Sequence, residues 1–136
     1  MNPVLKNLIA VVAGLLLGSA ANMLTLQIGM TLIPPPEGFD MNTPEGLNAA
    51  FAAMDTKHFI SPFLSHALGT FVGAFIVARF AASHHKTFAY VIAGLFFLGG
   101  LYMVLILNAP MWFNLTDLIL AYFPMGWLAM KMNRVI

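Results

Sequence analysis

Few side chains in this sequence suit proton or metal chemistry, and one of them sits where lipid or protein must surround it. His66 lies inside the apolar run "HFISPFLSHALGTFVGAFIVARF", residues 58–80. An ionisable group within such a run is a functional-site hypothesis by default, because hydrocarbon offers it no hydrogen-bond partner. At a rise of about 1.5 Å per residue, it falls roughly 10 Å from the start of its helix. Asn22, Gln27, Tyr102 and backbone carbonyls are the partners the sequence suggests for it. His66, Asn22 and Gln27 therefore form a candidate polar site within the apolar bundle. The plainer reading is a neutral imidazole that is simply hydrogen-bonded.

Asp55 and His58 are spaced three apart just before that run. On a continuous helix they would share a side, with His66 further along. Aspartate and two histidines can ligate zinc or a similar divalent ion. The spacing matches no metal signature, however, and no metal is expected. Glu37, Asp40 and Glu45 are read as solvated acids of a polar loop. Glu37, Asp40, Asp55, His58 and Asp117 make up a candidate site on the same face. Asp117 has a local explanation of its own: in "NLTD" it follows Asn114 by three and reads as a first-turn acid favoured by the helix dipole. His84, His85 and Lys86 suit anionic lipid headgroups. No serine elbow, phosphate loop, HExxH or dinucleotide motif is present, and there is no cysteine. No cofactor is called for.

The elements that hold these residues follow from composition. Of 136 residues, 60% are hydrophobic and 8% charged, where a soluble domain carries roughly 25% charged. Such a chain cannot cover itself with a polar surface, so the lipid bilayer is the expected solvent. A near-zero net charge gives nucleic acid no purchase. A membrane-crossing helix needs about 20 apolar residues. Stretches 4–33, 59–82, 87–108 and 115–130 approach or exceed that length, the last containing Pro124, which should kink it. The first continues well past "GSAA" and reads as a span, not a cleaved signal. Between the first two spans lies a polar loop, residues 34–58. "IPPPEGFD" cannot be helical, whereas "NTPEGLNAAFAAMD" predicts a short amphipathic helix. Thr43 would be its N-cap, Pro44 its first residue and Glu45 its first-turn acid. The expected fold is all-α: an integral membrane four-helix bundle with one short helix in its first outer loop.

Helical periodicity divides the second span into two faces. His66, Gly69, Thr70, Gly73 and Val77 fall on one; Leu64, Leu68, Phe71 and Phe75 fall on the other. Gly69 and Gly73 permit close backbone approach. Gly14 and Gly18 give the first span a matching stripe, with Asn22 at its edge. These two spans should pack together. Gln27 lies off that stripe and implies a further contact, with another helix or another chain.

Charge sets the orientation. Lys6, Arg79, Lys86, Lys131 and Arg134 fall at the N-terminus, the second loop and the C-terminus, and all five acids fall in the first and third loops. Basic residues mark the cytoplasmic side. At "LIPPPEGFD", "SHALGTFVGA" and "MWFNLTDLILAYFPMGWLA" the chain resembles small four-span proteins of bacterial inner membranes that are catalogued as uncharacterised. That resemblance implies a bacterial inner membrane and brings no activity or ligand. With no catalytic signature, the leading expectation is a non-catalytic subunit or scaffold, contacting a protein partner or its own copies. The alternatives are a small oligomeric transporter or channel with a polar site around His66, and a membrane enzyme acting on a lipid-borne substrate. Reporters fused to either terminus are expected to show cytoplasmic activity; a periplasmic signal from one of them would reverse the orientation.

Overall fold

Pro34 to Pro36 cannot continue a helix, so the first long apolar run ends there; the second ends at Ala81, which turns extended with ψ 152°. The computed structural model describes residues 1–135, whose regular structure is all helical, with no strand among them. Six α-helices follow in order: α1 Pro3–Leu32, α2 Pro44–Ala53, α3 Ile60–Phe80, α4 His85–Ile106, α5 Met111–Leu120 and α6 Phe123–Met132. A single 3-10 turn, Thr56–Phe59, leads into α3. Three helices are long and apolar enough to cross a membrane: α1, α3 with its leading turn, and α4.

The expected single helix over 115–130 is instead two helices of ten residues each. Tyr122 leaves helical geometry at φ −118°, ψ −81°, and Pro124 falls in the first turn of α6, where a missing N–H costs nothing. The proline thus starts a new helix and does not kink an old one. Asn133 of the chain beyond α6 donates to the Phe75 carbonyl at 3.3 Å, and Met130 packs with Ala10, Ala78 and Ala81. The pair α5–α6 therefore runs from the end of the bundle that carries α2 to the opposite end.

Around residues 34–59 the local signals operate as their chemistry dictates. The Thr43 hydroxyl accepts the Gly46 N–H at 3.1 Å, and Pro44 and Glu45 open α2. The helix stops at Ala53, and extended Met54 separates it from the 3-10 turn. It does not run on into α3. Asn48 ties α2 to the end of α4: its amide nitrogen donates to the Ile106 carbonyl at 3.2 Å, and its oxygen accepts the Asn108 N–H at 2.7 Å. Phe51, Phe59, Trp112 and Phe113 then join α2, the turn and α5, with Phe59 and Phe113 centroids 4.7 Å apart.

The main packing contact lies between antiparallel α1 and α3, where glycines bring the two backbones together. A β-carbon on Gly18 would lie 2.7 Å from the Gly69 carbonyl oxygen, and one on Gly73 would lie 2.9 Å from that of Gly14. Gly29 approaches Ser61 just as closely. Leu64 and Leu68 point outward, while Thr70, Gly73 and Val77 are buried. The similar-looking segments "VAGLLLG" and "IAGLFFLG" are used differently. Gly14 and Gly18 sit in the close crossing, whereas Gly94 and Gly99 have open space beside them. At the far end, Asn7 caps the α3–α4 turn by accepting the Ala82 N–H at 2.7 Å. His84 takes the left-handed conformation there, and His85 Nδ1 bonds the Ala78 carbonyl.

Gly18→Ile is expected to destabilise the protein by about 1–3 kcal/mol, as overpacking does, in denaturant titrations in mild detergent. Gly94→Ile, which enters open space, should leave the midpoint nearly unchanged.

Candidate functional site

The Asp117 carboxylate is buried in the helical core, where an anion needs charge or several donors beside it. It occupies the seventh position of α5, 3% exposed, not the first turn, and caps nothing: the N-cap of α5 is Pro110. Its partner is His66, one face of α3 away. His66 Nδ1 lies 2.9 Å from each carboxylate oxygen. The Tyr122 hydroxyl donates to Oδ2 at 3.0 Å. The Tyr122 and His66 rings stack, with centroids 5.8 Å apart and planes inclined by 28°.

Each member is positioned by a different element. His66 comes from the second turn of α3, on the face whose small residues let α1 approach. Asp117 comes from α5. Tyr122 comes from the break between α5 and α6, and that break turns its ring inward until it is 1% exposed. Gly100 of α4 makes the room, since a β-carbon there would overlap the tyrosine hydroxyl. One carboxylate thus links three segments of the chain.

The hydrogen-bond roles follow. A carboxylate only accepts, so His66 Nδ1 carries a proton and the Tyr122 hydroxyl donates. In the neutral ring, Nε2 then holds a lone pair. It has no protein partner among the described residues. The His66 side chain is 23% exposed, against 4% for Asp117, and that exposure opens onto a cavity of about 300 Å³.

The cavity lies under α2. Its walls are Leu26 and Met30 of α1 with Ile33 just past it, Met103 and Val104 of α4 with Leu107 just past it, and Phe113 and Asn114 of α5. Leu47, Phe51 and Met54 form the roof, and His66, Gly100 and Asp117 the floor. Its volume falls at the lower end of the range for small-molecule sites, and a mostly apolar wall with a few convergent polar groups is what such sites have in common. Methionine suits such a wall because its unbranched thioether adapts to irregular shapes. No lysine or arginine is among the lining residues.

The remaining candidates are placed as follows. Asn22 is half-buried on α1 with its β-carbon against Gly69, while Gln27 is exposed; neither bonds His66. Tyr102, 61% exposed, points away. Asp55 and His58 face each other locally: His58 Nδ1 accepts the Asp55 backbone N–H at 2.9 Å. His58 also lines the cavity rim. Glu37, Asp40 and Glu45 are exposed, and the Asp40 carboxylate accepts the Asn42 N–H. Among the described residues, no three histidines, cysteines or carboxylates gather as a metal ion would need.

Tyr122 and Gly100 belong to this site although neither stands out by type. The available signal was Tyr122 two residues before Pro124, which marks a residue freed from helical geometry. No family model, curated protein or solved structure matches the chain.

Tyr122→Phe is expected to cost about 1.5–3 kcal/mol, the range for a hydrogen bond to a charged group, measured by denaturant unfolding in detergent. Asp117→Ala should cost more. The combined variant should cost less than the sum, because the tyrosine hydroxyl has nothing to bond once the carboxylate is gone.

Proposed function

We propose that this chain is a four-pass membrane protein that takes an apolar small molecule from the bilayer into the cavity beneath α2, with His66 as its polar contact. The observation that carries the reading is the Asp117–His66 pair at the floor of that cavity. A protein needing only stability gains little from a buried hydrogen-bonded carboxylate, because replacing both partners by apolar residues of similar volume is often nearly neutral. An oriented imidazole facing an apolar cavity makes sense when something enters.

The four-pass reading rests on lengths and charge. Three helices have the length and composition to cross. The two ten-residue helices α5 and α6, at about 1.5 Å per residue, add up to roughly the 30 Å of a hydrocarbon core. Their internal break is tolerable in lipid because it is buried in protein. Five of the six basic residues, Lys6, Arg79, Lys86, Lys131 and Arg134, cluster at the ends opposite α2, with Lys57 alone beside it, and the cavity then opens near the outer face of a bacterial inner membrane, with both termini cytoplasmic.

A second reading, that of a subunit within a membrane assembly, is favoured by Gln27. Its amide is exposed on the side of α1 away from α3, beside exposed Leu24, Ile28 and Met23. A glutamine directed into lipid would be costly, so a partner helix or a second copy at that face fits it. The two readings are compatible.

Membrane vesicles carrying an alkyl diazirine probe test the cavity. Light should label the peptides containing Met30, Met54 and Met103 more strongly than those with lipid-facing Leu8 and Leu16. Val104→Trp, which fills the cavity, should reduce the labelling at the three methionine peptides several-fold and leave the rest unchanged. Uniform labelling insensitive to Val104→Trp would remove the ligand-binding reading.

A further inference from the structure

The hydrogen-bond polarity at the cavity floor narrows the class of ligand, given the binding function proposed above. Both Asp117 oxygens are engaged, by His66 Nδ1 and by the Tyr122 hydroxyl. Asp117 is also only 3% exposed, so its carboxylate is poorly placed to receive a cationic ligand. An anionic ligand fares worse. No lysine or arginine lines the cavity, and a second anion would sit beside a buried carboxylate in a medium that screens charge poorly. At the floor, what stands open to an occupant is His66 Nε2; Asn114, higher on the wall, donates to the Ala109 carbonyl. A ring that carries a single proton, on Nδ1 against Asp117, presents a lone pair at Nε2, which accepts and does not donate.

We infer that the cavity recognises a neutral, apolar molecule carrying a hydroxyl group, an alcohol or phenol of lipid-like character, whose hydroxyl donates to His66 Nε2. Asp117 fixes the ring tautomer that makes Nε2 an acceptor, and Tyr122 holds Asp117 in place. Asp117 and Tyr122 are positioning residues in this arrangement, and His66 alone touches the ligand's polar atom. The rest of the molecule lies along the methionines and Leu26. Entry is from the side, between α1 and α4. Ile92 and Phe96 of α4 reach Gly14 and Gly18 of α1, but toward α2 the two helices stand apart, and Met30 and Met103 are exposed on either side of the gap. A long apolar tail can remain in the bilayer while the hydroxyl reaches the floor.

This polarity separates the site from a general greasy pocket. A pocket that selects by volume does not distinguish a hydroxyl from a methyl ether of the same skeleton. A site whose facing group is an acceptor does, because the ether offers that acceptor no proton.

The test is displacement of the alkyl diazirine probe from the full-length protein in lipid nanodiscs. The competitors are 4-nonylphenol, its methyl ether 4-nonylanisole, decanoate and decyltrimethylammonium, each expressed as mole fraction in the membrane. The phenol is expected to displace the probe at a mole fraction about tenfold below that of the ether, and further below those of the two ions. In His66→Ala the phenol and ether should become equal. Should that variant fail to fold around an unpaired Asp117, His66→Leu combined with Asp117→Asn removes the buried charge and should give the same equality. Equal potency of phenol and ether in the unaltered protein overturns the hydroxyl assignment. So does stronger displacement by decanoate or the ammonium ion, or a phenol preference that survives loss of His66. In any of these cases, displacement that still disappears in Val104→Trp leaves the cavity as a binding site for another class. Labelling indifferent both to competitors and to Val104→Trp removes the site and the inference together.

Discussion

A single buried carboxylate organises this protein. Asp117 sits where an anion is costly unless it is paired, and meeting that requirement fixes three segments at once. His66 must face α5, so the rotation of α3 is set. Tyr122 must reach the same oxygen from five residues further on, which an unbroken helix does not permit for a side chain turned inward in this way. The chain therefore breaks between α5 and α6. Gly100 must stay bare so that the phenol has room. Stability, the discontinuity of the last helix pair and the polarity of the cavity floor all trace to this one group.

The α1–α3 crossing serves that arrangement. Gly14, Gly18, Gly69 and Gly73 allow the backbones to approach until carbonyl oxygens lie against glycine α-carbons, the kind of contact that holds helices together where no hydrophobic effect operates between them. The close crossing fixes α3 against α1 at its middle. The small faces are used up on each other, which leaves α4 to form the opposite wall and a space between α1 and α4. Above it, α2 is held by Asn48 on the end of α4 and by the aromatic cluster around Phe59. The cavity thus has a rigid floor, two walls of adaptable methionines and a roof tied at one side.

Much of the fold was legible in the sequence, because it depends on local rules. The small stripes of α1 and α3 emerge from a 3.6-residue period. Thr43 and Pro44 mark the start of α2 through capping chemistry that acts within four residues. The centre of the site was not legible in that way. His66 and Asp117 are 51 positions apart, and each has an adequate local explanation: a stray imidazole for one, a dipole-stabilising acid for the other. Local logic placed Asp117 at a helix start near "NLTD", yet α5 begins four residues earlier, at Met111, behind Pro110. That shift of one turn carries the carboxylate from the helix end into the core. Pro124 announced a disturbance correctly, but whether a proline kinks one helix or begins another depends on what its neighbours reach. Here Tyr122 reaches Asp117, and the neighbour decided the outcome. The polar residues nearest to His66 in type, Asn22, Gln27 and Tyr102, were attractive because they share its apolar surroundings; none of them bonds it.

The most direct measurement is the tautomeric state of the imidazoles, read from ¹⁵N-histidine spectra of the protein in micelles or nanodiscs. His66 is expected to carry a proton on Nδ1, with that proton shifted far downfield by the carboxylate, and to lose this signature in Asp117→Asn. His58, whose Nδ1 accepts a backbone N–H, should show the opposite tautomer in the same spectrum. A His66 protonated at Nε2 alone, with a bare Nδ1 unaffected by changes at Asp117, would contradict the pairing from which the rest is built.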